Sequence, residues 1–290
     1  MNYVIHICIM ASIYTVLAVS LDLLAGQMGI MSVAHAAFYG IGAYSSAVLS
    51  SRAGAPFWLG LLAGIMFGGL SSLVVSLPAS RLRGDYFMIA TFSFQIIAFS
   101  IFDNWQDVTR GALGIPGIPA PSILGLRVDS DRKFLILAGT AACVAYFLVQ
   151  RIASSPFGRV LRAIREDELF AKSLGKNTLS FQVTVFAVSA ALAASAGSLY
   201  AHYITYIDPS SFTVMESILI ISMVIIGGAA SRWGPLIGAV LLVLLPELLR
   251  FIGLPASVAA NLRQILYGSL LVIMMMFRPR GIAGRYGFGR

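Results

Sequence analysis

The 290 residues are 58% hydrophobic and only 11% charged, against the roughly 25% charged usual in soluble domains. That balance excludes a soluble domain and describes an integral membrane protein. The formal net charge of +8 indicates nucleic-acid binding only if the basic residues cluster accordingly, and their distribution along the chain shows another pattern.

A membrane crossing takes about 20 apolar residues to traverse a ~30 Å hydrocarbon core. Nine runs meet that measure, near 4–25, 30–50, 57–78, 86–104, 134–151, 181–203, 216–232, 234–252 and 262–278. The fold class expected is therefore all-α, a polytopic transmembrane helical bundle in a single domain, 1–290. The first run has no Lys or Arg ahead of it, so it reads as a retained helix and not as a cleaved secretory signal. Cys8 and Cys143 fall far apart in apolar runs, which predicts buried thiols without disulfide or metal spacing. The second run and the seventh–eighth pair are rich in Gly, so broken or re-entrant segments are an alternative to full crossings there. Gly60, Gly64 and Gly68 recur every four residues, as do Gly234 and Gly238. Such faces let helices approach closely, within or between subunits. Gly227-Gly228, followed by Trp233-Gly234-Pro235, reads as a tight turn or a hinge.

Lys and Arg placement sets the orientation. With the 151–180 connector inside and an odd number of spans, the N-terminus is outside and the C-terminus cytoplasmic. Thirteen of the 20 basic residues then fall inside, Arg81, Arg83, Arg285 and Arg290 among them, whereas the outer side is balanced by acids. The basic charge is thus a topology signal and does not indicate nucleic acid. The outer connector 105–133 contains GALGIPGIPAPS, whose Gly and Pro favour successive turns. It reads either as a surface for an external partner or a pathway mouth, or as a plain linker.

The long polar stretch is Arg151–Lys176, RIASSPFGRVLRAIREDELFAKSLGK. Ser155-Pro156 reads as an N-cap followed by Pro at the first helical position, and Gly175 as the stop. Phe157, Val160, Leu161, Ile164, Ala171 and Leu174 recur at helical spacing, with Arg159, Arg162, Arg165 and Lys172 largely elsewhere on the wheel. Glu166, Asp167 and Glu168 interrupt the stripe, so one bent helix or two short ones fit equally. Arg162 and Glu166, and Glu168 and Lys172, sit four apart and are positioned to pair. Two readings follow: a basic amphipathic loop on the inner membrane surface, or a docking element for a cytoplasmic partner.

Gly26 to Tyr44 is the most unusual apolar stretch, since Ser32, His35, Tyr39 and Tyr44 bring polar tips to membrane depth or its edge. Intramembrane polar groups tend to face the bundle interior or a water-filled cavity. The run as a whole suggests the lining of a pathway; His35 by itself suggests a satisfied core residue. Asp22, Glu216 and Glu247 fall toward predicted span ends, where carboxylates reach the interface, and no paired carboxylates are expected on a common membrane face. The sequence contains no GxxxxGK[ST], HExxH or CxxC motif, and nothing in it suggests an enzyme.

GIMSVAHAAFYGIGAY (29–44), LRGDYFMIATFSF (82–94), NWQDVTRGALGIPGIP (104–119), RAIREDELFAKSLG (162–175), GGAASRWGPLIGA (227–239) and LYGSLLVIMMMFRPRGIAG (266–284) together resemble branched-chain amino-acid ABC-importer permeases, specifically the M-type transmembrane subunit. They cover nearly the whole chain in order. Ile30 stands where Gln is usual, Val33-Ala34 where Leu-Gly is usual, and Arg110 and Ala230 each stand where Gly is usual. The resemblance implies a multi-pass protein of a prokaryotic inner membrane that pairs with a sister permease, two cytoplasmic ATPase subunits and an external solute-binding protein. It implies no cofactor on this chain, ATP being used by the partners. It also implies a short cytoplasmic helix seated on the ATPase, here Arg159, Arg162, Ile164, Arg165, Glu166, Asp167, Glu168 and Gly175. The translocation path is expected at Gly26, Gln27, Ser32, His35, Phe38, Tyr39, Gly42 and Tyr44. Branched-chain or related small amino acids are the expected solutes, with urea, short amides or other small carboxylates as alternatives. An ion-coupled secondary transporter, and a scaffold or channel, are the readings from other classes.

Overall fold

The computed structural model describes residues 2–79, 82, 84–123, 126–250, 256–278 and 280–284. The topology expectations placed on Arg81, Arg83, Arg285 and Arg290 lie outside the described residues, as do residues 251–252 at the end of the eighth run. Among the described residues, nine longer helices occupy the nine apolar runs. These are α1 (Asn2–Ala25), α2 (His35–Arg52), α3 (Phe57–Ala79), α4 (Asp85–Asn104), α6 (Asp131–Ser154), α9 (Thr178–Ile204), α10 (Val214–Gly227), α11 (Gly234–Arg250) and α12 (Ala256–Phe277). Three short helices complete the set: α5 (Gln106–Thr109), α7 (Pro156–Glu166) and α8 (Glu168–Ser173). The protein is an all-α polytopic membrane bundle. Helices α1, α3, α4, α6 and α9 are long and apolar enough to cross a membrane, whereas α10 and α11, of 14 and 17 residues, fall short of the roughly 20 residues a full crossing takes.

The centre of the bundle is the three-way contact of α2, α3 and α9, and small residues are what permit it. A Cβ on Gly42 would run into the Ala194 carbonyl, and one on Gly197 into the Tyr39 carbonyl, so α2 and α9 touch backbone to backbone. The four-residue glycine face of α3 meets the same pair: Gly60 rests on Ser46, Gly64 on Ser198 and Gly42, and Gly68 on Ala194 and Ala190. Gly234 and Gly238 lie against Gly227, Gly228 and Met223 in the α10–α11 pair. Both glycine faces therefore serve contacts within the chain. Around the small-residue seam Phe38, Tyr39, Phe87, Phe102, Phe186 and Phe212 fill the remaining space with stacked and edge-on rings.

The 105–133 connector is folded over its described residues. Three two-residue strands lie within it, β1 (Ile115–Pro116), β2 (Ser122–Ile123) and β3 (Leu126–Arg127), and a fourth, β4 (Tyr206–Ile207), follows α9; β1 is antiparallel to β4 and β2 to β3. Ile115 and Ile118 are buried, and the Ile118 amide donates to the Thr205 carbonyl at 3.0 Å. His202 locks the arrangement, its Nδ1 donating to the Pro119 carbonyl at 2.8 Å while Nε2 lies 2.9 Å from Ser46 Oγ. The linker reading of 105–133 does not hold.

One further expectation is corrected, and one pair of alternatives is decided. Cys8 and Cys143 are exposed, because an apolar run fixes a residue's helix but not which side of that helix turns outward from the bundle. Gly227-Gly228 is a turn whose backbone is pinned on both sides. Asp22 Oδ1 accepts from the Ala230 amide at 2.8 Å, and the Ile282 and Ala283 amides donate to the Ile226 and Gly227 carbonyls.

Candidate functional site

The polar stretch 151–176 folds as two short helices. Ser155 caps α7, its hydroxyl accepting from the Gly158 amide at 3.3 Å, with Pro156 at the first turn. Asp167 ends α7 in an extended conformation and caps α8 in turn, accepting from the Phe170 amide at 3.0 Å. An Asp with extended backbone suits the position between two helices, since its carboxylate satisfies an orphan amide of the second. Gly175 then adopts φ +76°, the left-handed region where Gly carries no Cβ penalty.

Leu161 and Ile164 bury the apolar side of α7. The basic residues do not all face away from the bundle. Arg162 Nη1 donates to Gln27 Oε1 at 3.0 Å and to the Ala153 carbonyl at 2.7 Å. Arg165 Nη1 donates to the Gly26 carbonyl at 2.6 Å, with the Arg165 side chain only 10% exposed. Both arginines therefore clasp the C-terminal end of α1, where unpaired carbonyls and the negative end of the helix dipole favour cations. This corrects the pairing expected between Arg162 and Glu166: Glu166 instead lies 3.0 Å from Arg165 and is itself 67% exposed. The other expected pair is present, Lys172 Nζ to Glu168 Oε1 at 2.7 Å, and Glu168 also accepts from Thr178 Oγ1 at 3.1 Å.

The residues named for coupling thus divide. Ile164 is buried and Arg162 and Arg165 turn to α1, while Arg159, Glu166, Asp167 and Gly175 are exposed. Sequence periodicity missed an exposed apolar face on this loop: Leu169, Phe170 and Leu174 are each at least 60% exposed. Leu174 had been expected on the inward stripe, but the break at Asp167 resets the wheel for α8. The adjacent Leu169-Phe170, off the stripe of α7, was the available signal.

Of the residues named for the path, Gly26 and Gln27 belong to the clasp just described. A Cβ at Gly26 would meet Asp22 and the Ala230 amide. Ser32, His35, Phe38, Tyr39, Gly42 and Tyr44 are buried in helix packing. His35 Nε2 is 2.7 Å from Ser20 Oγ, which donates to the Leu17 carbonyl, so His35 is the donor and is satisfied. The hydroxyls of Tyr39 and Tyr44 are buried without a hydrogen-bond partner. Gln95 and Ser217, not singled out in the sequence, tie this run to α4 and α10. Gln95 Oε1 accepts from the Ala37 amide at 2.7 Å and Ser217 Oγ from the Ala36 amide at 2.9 Å.

The acids also differ from expectation. Asp22, near the end of α1, is buried within the protein. Glu216 and Glu247 line one cavity of about 630 Å3 together with His6, Tyr14 and Tyr267. Glu216 accepts from the Tyr14 hydroxyl at 2.6 Å, and Glu247 Oε2 is buried without a partner. Two carboxylates do share a cavity, because α10 and α11 form a hairpin that joins positions distant in sequence. A second cavity, of about 370 Å3, lies between the α1–α2 connection, the start of α4 and the clasp.

The family model of the branched-chain amino acid transport system / permease component matches residues 3–275. The high-affinity branched-chain amino acid transport system permease protein LivM of Salmonella typhimurium is 33% identical over 96% of this chain and 69% of its own length. LivH of the same organism is 27% identical over 95% and 92%. A probable LivM of Methanocaldococcus jannaschii is 26% identical over 77% and 67%. No solved structure matches the chain. Six ordered motifs, a helical membrane bundle and near end-to-end similarity agree: the chain belongs to the family of branched-chain amino acid transport system permease components.

Proposed function

We propose that this chain is one transmembrane half of an ATP-driven importer for branched-chain or related small amino acids. It lines the path with a sister permease and is driven by two cytoplasmic ATPase subunits, with an external protein delivering the solute. The chain contributes no ATPase chemistry of its own and acts as a single membrane unit, with its N-terminus outside and C-terminus cytoplasmic. The observation that carries this reading is the α7–α8 loop. It is anchored to α1 by two arginines on its inner side and presents Leu169, Phe170 and Leu174 on its outer side, in a chain whose relatives are transport permeases. An exposed apolar knob beside Arg159 and Glu166 fits a protein groove better than bulk solvent does. We place the ATPase contact there, with Ile164, Arg162 and Arg165 supporting it from inside. The 26–44 run we place beside the translocation path, the unpartnered Tyr39 and Tyr44 hydroxyls supporting that position.

The test is purification of the chain from gently solubilised native membranes. Two P-loop ATPases, a sister permease and solute uptake that requires ATP are the expected result. Uptake by this chain alone would overturn it in favour of an ion-coupled carrier, the second reading that the Glu216–Glu247 cavity favours.

A further inference from the structure

The 630 Å3 cavity lies between α1, α10, α11 and α12. Pro246, inside α11, is part of its wall. It has no amide to offer the Leu242 carbonyl one turn back, and the Tyr267 hydroxyl of α12 donates to that carbonyl at 3.3 Å. Two other lining hydroxyls are committed likewise: Tyr14 donates to Glu216 Oε1 at 2.6 Å and Ser222 to the Ile218 carbonyl at 2.8 Å. A hydroxyl has one proton to give, so none of these three donates to a ligand as well. His6 Nδ1 lies 2.7 Å from the Tyr203 hydroxyl.

The acceptors are not used up. Glu247 Oε2 is buried without a hydrogen-bond partner. A carboxylate accepts at about four positions, so the Tyr14 bond leaves Glu216 able to take more. Among the described lining residues there is no lysine or arginine. An anion would face two carboxylates, and a zwitterion would bring a carboxylate of its own to the same wall. The volume falls within the ~300–1,000 Å3 range of small-molecule sites, and Met10, Met215, Leu219, Val243 and Leu271 line much of it. A bare ion leaves that apolar surface unmet. A primary ammonium on an apolar chain meets both parts, since it carries positive charge, three N–H donors and a chain around which methionines re-pack.

We propose that this cavity binds a primary alkylammonium group, with the ammonium on Glu216 and Glu247 and the chain against the apolar lining. Met215 and Ile218 line the cavity and are 59% and 42% exposed, so it opens at the surface of the bundle. The group arrives there as an aminophospholipid headgroup or as a free amine from water. The site does not depend on the importer reading, because its ligand is not the zwitterionic solute.

The experiment measures binding of radiolabelled n-hexylamine to the protein purified from native membranes and exchanged into phosphatidylcholine nanodiscs. Saturable binding above that of empty discs is expected. Hexanoate lacks the positive charge and hexyltrimethylammonium lacks the N–H donors, and each should compete at least tenfold more weakly than hexylamine. Glu247→Gln removes the charge at constant shape and should weaken binding at least tenfold. Gly268→Phe fills the cavity from a lining position where a Cβ meets nothing within 4 Å; it should weaken binding equally with an unchanged melting temperature. Phosphatidylethanolamine added to the discs distinguishes the sources. Its displacement of hexylamine assigns the ammonium to a lipid headgroup, and undiminished hexylamine binding assigns it to a soluble amine. No saturable binding, equal competition by hexanoate, displacement by equimolar Na+ or K+, or binding unaltered in both variants would overturn the proposal.

Discussion

Replacing Arg165 by Met removes the guanidinium that holds α7 to α1 while keeping most of the side-chain volume. Its bond to the Gly26 carbonyl is 2.6 Å long and the side chain is 10% exposed, so little of the interaction is lost to solvent screening. A hydrogen bond from a charged donor contributes roughly 1.5–3 kcal/mol, whereas the contact with the largely exposed Glu166 adds little. A loss of about 2 kcal/mol shifts the balance between clasped and released α7 by roughly 30-fold, at 1.4 kcal/mol per factor of ten. In proteoliposomes containing the assembled complex, ATP hydrolysis and solute uptake are measured side by side. The expected outcome is continued hydrolysis with several-fold less solute moved per ATP. Arg165→Lys, which restores charge but not the planar fork, should fall between the two. Charge reversal at both Arg162 and Arg165 should uncouple more fully. An unchanged ratio of uptake to hydrolysis in Arg165→Met and in the double reversal would refute the clasp as the coupling link.

Phe170→Asp places a charge on the exposed apolar knob and should reduce ATPase co-purification at least tenfold while leaving the permease's own melting temperature unchanged; undiminished co-purification moves the docking face elsewhere. Ala230 stands at φ 57°, where an L-residue is strained by about 1–2 kcal/mol. Set against the entropy cost of Gly, roughly 0.5–1 kcal/mol, Ala230→Gly should raise stability by about 0.5–1 kcal/mol, read as a small upward shift in a detergent melting curve. Gly42→Val must push α2 off the Ala194 carbonyl, and overpacking of this kind costs typically 1–3 kcal/mol or more. Loss of monodisperse protein is expected, with Gly139→Ala as the contrast, since nothing lies within 4 Å of a Cβ built at Gly139. Equal behaviour of these two glycine variants would contradict the backbone-to-backbone contact.

The positions of the nine longer helices among the described residues were legible because length and apolarity decide them, and the ends of the polar loop were legible because Ser155 and Gly175 are local signals, whereas one bent helix and two short ones fitted its middle equally. What the sequence concealed is everything that depends on which helices become neighbours. Nothing in the sequence joins Gly26 and Gln27 to the polar loop; the fold does, by bringing Arg162 and Arg165 to them. Glu216 and Glu247 are separated by a turn and two helices, and only the α10–α11 hairpin puts them in one cavity. The departures from the family pattern at Arg110 and Ala230 gain a physical meaning only with backbone angles: both are in the left-handed region, at φ 64° and 57°. Glycine would adopt that region without a Cβ penalty.

The clasp also bears on how a push on the α7–α8 loop reaches the bundle. Among the described residues, α8 touches the rest of the chain mainly through α7 and α9, and α7 through α6, α8 and α9. The arginine bonds add a direct tie from α7 to the end of α1, a helix that packs in turn on α6, α9, α10 and α11. The Asp22 carboxylate, one turn back from Gly26, holds the α10–α11 turn through the Ala230 amide. Displacing the α7–α8 loop therefore pulls on a point where α1, the loop and the α10–α11 turn are joined by hydrogen bonds within a few residues. The α2–α3–α9 seam is held by backbone contact with no room for side chains to slide. That arrangement passes a displacement of the loop to α1 and to the α10–α11 turn together.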